Sequence, residues 1–145
     1  MKKLFLLLAL LITQPAWATT WYVKPPASGG SDVYNCTQAQ TSGTPKATIN
    51  AALACIGGTI GAGAGHTVEV WSGTYAEKID DAVTTTPSGT SWSSPFTLQA
   101  KSGDTVTIKT ASSDVNLRLY SASPKYIIVS GFIFDGTNLG QEQQQ

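Results

Sequence analysis

Few side chains in this chain have types and spacings that could do chemistry, and they are scattered along it. His66 is the only histidine. With no partner cluster in sequence, it reads as a solvated turn residue rather than a metal ligand or general base. Asp80 and Asp81 form the only adjacent acid pair. Two neighbouring carboxylates supply too few oxygens for a cation on their own, so they read as solvated turn residues. Glu77 reads as a hydrogen-bond acceptor at the edge of a strand unit. Asp135, directly after Phe134, is the best-placed acid for a groove that further coils would continue, with turn capping as the plainer role. Lys109 and Arg118, the latter the only arginine, are outward cations able to meet an acidic ligand or to stand in solvent. Trp71, Trp92 and Tyr120 offer faces on which a sugar could stack, although contact with a neighbouring loop accounts for them equally well.

The composition narrows the partners. Residues 1–18 have the form of an export signal: Met1-Lys2-Lys3, an apolar run from Leu4 to Ile12, and Ala16-Trp17-Ala18 as a cleavage site. The run is too short to span a membrane as a helix, and cleavage is expected after Ala18. The product expected is a secreted or periplasmic protein of about 127 residues with no membrane anchor, enough for one small domain. Without Lys2 and Lys3 its net charge is about −2. There is no basic stripe, so nucleic acid is not an expected partner. Only 12% of residues are charged, while Ser, Thr and Gly are plentiful, which suits an exported β protein. Cys36 and Cys55 are the only cysteines. In an oxidising compartment such a pair reads as one disulfide, since its spacing fits neither a metal nor a redox motif. The Gly-Ala run from Ile60 to Gly65 is followed by no Gly-Lys-Ser/Thr, which argues against a nucleotide loop.

The elements that must position these residues follow from apolar periodicity. Thr20 to Lys24 begins as a strand and stops at Pro25-Pro26. A polar loop from 27 to 44 leads to a short helix. Thr48 is its expected N-cap, Ile49, Ala52, Leu53 and Ile56 form its apolar face, and Gly57-Gly58 end it. Beyond His66 a two-strand unit recurs around Ser-Gly pairs at Ser72, Ser102 and Ser130, about 30 and about 28 residues apart, the spacing of a solenoid. Val68 and Val70, Phe96 and Leu98, Val106 and Ile108 are expected to face inward. Ile127 with Val129, and Phe132 with Phe134, share faces in the last unit. Leu117 and Leu119 mark another short strand. The connectors 80–94 and 110–116 are polar. Residues 137–145 are polar and aperiodic, with no apolar face to cover a last coil. Solenoids normally carry caps at both ends, so the expectation is the N-terminal part of a longer protein, with a short native chain as the alternative.

Four stretches in order, Trp21 to Pro25, Ala47 to Leu53, Thr67 to Glu77 and Tyr126 to Gly136, resemble the N-terminal portion of secreted proteins of the pectate-lyase-like superfamily. The resemblance implies an all-β fold, a right-handed single-stranded parallel β-helix. Residues 19–66 would hold the opening strand, loop and capping α-helix, residues 67–136 the first coils, and 137–145 a tail at a truncation point. It implies an extracellular polysaccharide as partner. The leading expectation is a polysaccharide lyase that cleaves an acidic, uronate-containing glycan by β-elimination. Ca²⁺ in the full-length protein would neutralise the substrate carboxylate, and a Lys or Arg would take the C5 proton. No catalytic residue can be carried onto this chain, because those groups usually come from later coils. Trp71, Arg118, Tyr120 and Asp135 are the candidate substrate contacts. The alternative is a non-catalytic β-helix adhesin, glycan-binding module or structural cap.

Overall fold

The computed structural model describes residues 17–57, 61–81, 86–111, 115–119 and 125–139. Tyr120, the tail beyond Leu139 and nearly all of the export segment lie outside these residues. The described chain is largely β, with parallel strands and one α-helix.

Strand β1 (Thr20–Val23) is followed by helix α1 (Ile49–Ile56) and then by β2 (Thr67–Val70), β3 (Gly73–Tyr75) and β4 (Ile79–Asp80). Next come β5 (Phe96–Ala100), β6 (Val106–Ile108), β7 (Leu117–Arg118), β8 (Ile127–Ser130) and β9 (Phe132–Phe134). They form three parallel sheets, ordered β1-β2-β5-β8, β3-β6-β9 and β4-β7. From β2 onward the chain visits the first, second and third sheets in turn, and then repeats the circuit.

The register shows where the repeat resides. In the first sheet Val68 lies beside Leu98, and Leu98 beside Val129. In the second, Gly73, Val106 and Phe132 form one row. The Ser-Gly pairs are not all equivalent: Ser72 and Ser102 follow corresponding strand ends, but Ser130 pairs with Gln99, inside the strand that ends before Ser102. The repeating feature is therefore the inward apolar row and not the bend. Insertions at the bends are absorbed by connectors, whereas a one-residue slip within a strand would turn its core side chains to solvent.

Every inward residue expected in β2, β5 and β6 is buried: Val68, Val70, Phe96, Leu98, Val106 and Ile108. They join Trp21, Val23, Tyr75 and Ile79 in one core fed by all three sheets. Full burial of each aliphatic side chain is worth about 1.5–3 kcal/mol. Toward β8 and β9 the cover thins. Ile127, Val129 and Phe132 are only partly buried, and Phe134 is 42% exposed.

Helix α1 packs on β1 and β2 through Ile49, Ala52 and Leu53, all buried. Thr48 is the N-cap, its hydroxyl accepting the Ala51 N–H at 3.2 Å. Asp32 accepts the amides of Ala47 and Thr48. Glu77 accepts those of Ile49 and Asn50 at 2.8 and 3.0 Å. The unpaired amides of the first helical turn are thus met by the Glu77 carboxylate and the Thr48 hydroxyl, while Asp32 holds the two residues just before it. At the other end the Gly57 N–H donates to the Leu53 carbonyl. Cys36 and Cys55 are bonded, with Cα atoms 5.3 Å apart, which ties the helix to the preceding loop. Among the described residues no helix is long and apolar enough to cross a membrane.

Candidate glycan-contact face

The outward rows of the first sheet are read from the same register. One holds Thr20, Thr67, Thr97 and Ile128; the next holds Tyr22, Glu69, Gln99 and Ser130. A third lies one residue past the strand ends, where Trp71 N–H donates to the Val23 carbonyl and Lys101 N–H to the Val70 carbonyl. This places Lys24, Trp71 and Lys101 side by side. The ammonium groups of Lys24 and Lys101 stand 3.6 and 3.5 Å from the centroid of the Trp71 ring. Two cations that close to one centroid cannot share a ring face, and the register supplies one from either side. Each contact is worth about 0.5–1 kcal/mol at a partly exposed site.

Trp71 is fixed from several directions. Its indole N–H donates to Glu69 at 3.1 Å. The Tyr75 hydroxyl donates to the Trp71 carbonyl at 2.8 Å. Burial, reinforced by the negative charges of Glu77 and Asp104, pushes the Tyr75 phenol well up, so it stays a donor. Asp104 accepts the Ser72 N–H at 2.8 Å. Gly73 follows with φ +157°, and a Cβ there would come within 2.3 Å of Pro25 Cγ. Only glycine lets the chain turn so tightly beside the residue that follows Lys24. Lys24 also donates to the Ser42 carbonyl at 2.8 Å. The result is a braced aromatic plane between two ammonium groups, bordered by Glu69 and Asp104. Its cations suit carboxylates, and its acceptors suit hydroxyl groups.

Of the four candidate contacts inferred from sequence, the three that are described lie on different sheets or beyond them. Trp71 belongs to the first sheet and Arg118 to the third, Asp135 follows the second, and Tyr120 lies outside the described residues. The ring faces of Trp71 are covered by ammonium groups, so a stacking sugar would have to displace one. Arg118 grips Asp80 with both Nε, at 3.0 Å, and an Nη. Asp135 accepts the Thr137 N–H at 2.9 Å and pairs with Lys109 at 3.0 Å. These contacts hold its carboxyl down at about 2. That is the turn-capping role, and it also occupies Lys109.

Two sequence readings are corrected. Asp80 and Asp81 are not solvated turn residues: they are 1% and 6% exposed. Asp80 is buried because the third sheet sets it directly beside Arg118, with Lys78 at 3.4 Å on the same carboxylate. His66 is not simply solvated. Its Nδ1 accepts the Thr19 N–H at 3.1 Å, and its ring meets Trp21 edge-to-face at 5.3 Å. Burial lowers its pKa below 6.5. Glu77 does make the structural hydrogen bonds expected of it. It also lines a cleft of about 290 Å³ with Pro25, Pro26, Thr48 and Tyr75, but both its oxygens are already engaged by helix amides.

Lys24 and Lys101 were not legible as a pair, being 77 residues apart. The signal that could have found them is the alignment of strand ends: Tyr-Val-Lys24, Glu-Val-Trp71 and Gln-Ala-Lys101. Among the described residues no group of three or more His, Cys, Asp or Glu could hold a metal ion. Comparison with protein-family models, with characterised proteins and with solved structures finds no match.

Proposed function

We propose that this chain supplies an acidic-glycan-binding face to an exported right-handed parallel β-helix protein acting on extracellular polysaccharide. The observation that carries this reading is the Lys24–Trp71–Lys101 stack on the outward side of the four-stranded parallel sheet. The Lys101 ammonium lies over the Trp71 ring, 3.5 Å from its centroid, and turning it to a uronate carboxylate breaks no other described contact. Glu69, Gln99 and Asp104 stand within the same patch to accept or donate to sugar hydroxyls. The cyclic visit to three parallel sheets, with α1 over the first strands, supports the β-helix. The right hand is the strong preference of parallel β-crossover-β connections.

The catalytic half of the proposal, β-elimination on the bound uronate, rests on the sequence resemblance. Binding rests on geometry. The test is retention of the processed protein in gels cast with polygalacturonate, alongside absorbance of unsaturated product. Retention that weakens as salt rises from 50 to 500 mM supports the reading, because screened charges lose reach. No retention at low salt overturns it. Retention without new absorbance leaves a binding module and removes the lyase.

A further inference from the structure

A second aromatic feature lies at the opposite end of the same sheet. Trp92 is 69% exposed at the tip of a short hairpin in which Ser91 bridges to Ser94. The tip is closed by Thr90 N–H on the Ser94 carbonyl and Ser94 N–H on the Ser91 carbonyl. The Ser91 and Ser93 hydroxyls bond each other at 2.8 Å. The base of the hairpin is buried. Ser88 is 6% exposed, its carbonyl accepts the Gly63 N–H, and its hydroxyl accepts the Lys125 N–H. A Cβ on Gly89 would come within 2.6–2.8 Å of Ser94, Pro95 and Tyr126 backbone atoms, so only glycine fits that crossing. An exposed indole on so constrained a base is a positioned group and not a loose tip.

Tyr126 completes the arrangement. It is the only non-glycine described with positive φ, at 54°, an uncommon conformation for a bulky residue. Its carbonyl is held by the Phe96 N–H at 2.9 Å. In that conformation its ring meets Trp92 at 5.4 Å and 88°. One side of the indole is braced by the tyrosine, and Thr90, Ser91 and Ser93 share the hairpin that carries it. Backbone conformations of this kind cluster at ligand-contacting positions, which makes the pair a candidate for one.

We infer that the Trp92–Tyr126 corner is a second glycan contact, taking the apolar C–H face of a pyranose ring while the serine hydroxyls meet its hydroxyl groups. The ligand class rests on the glycan reading above; the site does not share its residues. Unlike the lysine stack it needs no charge on the sugar. Tyr126 immediately precedes Ile127, which pairs with Phe96, and Lys101 lies five residues past Phe96. At about 3.3 Å per strand residue the two sites stand roughly 20 Å apart along the strands. That is room for a chain of several sugars.

The experiment is binding of polygalacturonate and of neutral hydroxyethylcellulose by the processed protein, W92A, W92F and K24A/K101A, at 50 and 500 mM salt. Folding is checked by circular dichroism. The expectation is a salt-resistant component, present for both polymers, that weakens about tenfold or more in W92A, the scale of an aromatic anchor. W92F should keep much of it, and K24A/K101A should keep all of it. Salt-sensitive binding of polygalacturonate with W92A unchanged overturns this site and leaves the lysine stack standing. Trp92-dependent binding of the neutral polymer with K24A/K101A unchanged on polygalacturonate does the reverse. Binding of neither polymer overturns both.

Discussion

His66 shows how a single side chain can set a pH dependence in a chain with few ionisable groups. Its Nδ1 accepts the amide of Thr19, whose carbonyl in turn accepts the Thr67 N–H. The imidazole thus fastens the start of β1 to the start of β2. Burial lowers its pKa, so the folded chain binds this proton less tightly than the unfolded chain does. Stability is therefore complete above the ordinary value of 6.5, and it falls as pH drops from there toward the folded value. The urea midpoint should fall between pH 7.5 and pH 5 by more for the native protein than for H66N; an equal fall in both would remove the latch. Arg118 gives a second residue-scale prediction. Removing it leaves Asp80 buried with Lys78 nearby. A fully buried broken pair costs 3–5 kcal/mol. With Arg118 one third exposed, R118A should cost about 2 kcal/mol by urea unfolding, and a change within about 0.5 kcal/mol would show the pair to be dispensable.

At the scale of elements, α1 depends on what caps and tethers it. An eight-residue helix is too short to persist alone. Replacing Glu77 by Ala strands the amides of Ile49 and Asn50 and should destabilise the fold by about 1–3 kcal/mol. E77Q, which keeps one acceptor oxygen, should fall between E77A and the native protein in thermal melts. Reducing the Cys36–Cys55 bond reopens a loop of about 20 residues and should lower stability by about 3 kcal/mol. Thr48 and the apolar stripe were legible in sequence because capping and helical spacing are local. Asp32 and Glu77 as partners of the same helix end were not, because they reach it from 16 residues before and 28 residues after. Locality also explains the Ser-Gly pairs, which look alike in sequence although the register displaces the third from the first two.

For the whole molecule, alternation of apolar and polar residues in β2, β5 and β6 already specified which side chains form the core. Parallel pairing between strands 26 to 47 residues apart then decided what meets on the outside. It aligned Lys24, Trp71 and Lys101, and it buried Asp80 against Arg118. A cluster made by register leaves no local signature, so isolated residues such as Arg118 and Asp135 drew attention as ligand contacts although the fold uses them as ion-pair partners. The largely parallel β architecture predicts a far-ultraviolet dichroism spectrum dominated by strand; one dominated by helix would contradict it.

The central claim is that the lysine-flanked tryptophan binds an acidic glycan. Its most direct test is calorimetric titration of polygalacturonate into a protein spanning residues 19–145 and into its K24A/K101A variant at 50 mM salt, with both confirmed as folded. Loss of two charge-assisted contacts should weaken binding about tenfold or more. Equal affinity of the two proteins would contradict the account, because the glycan would then be held elsewhere on the molecule.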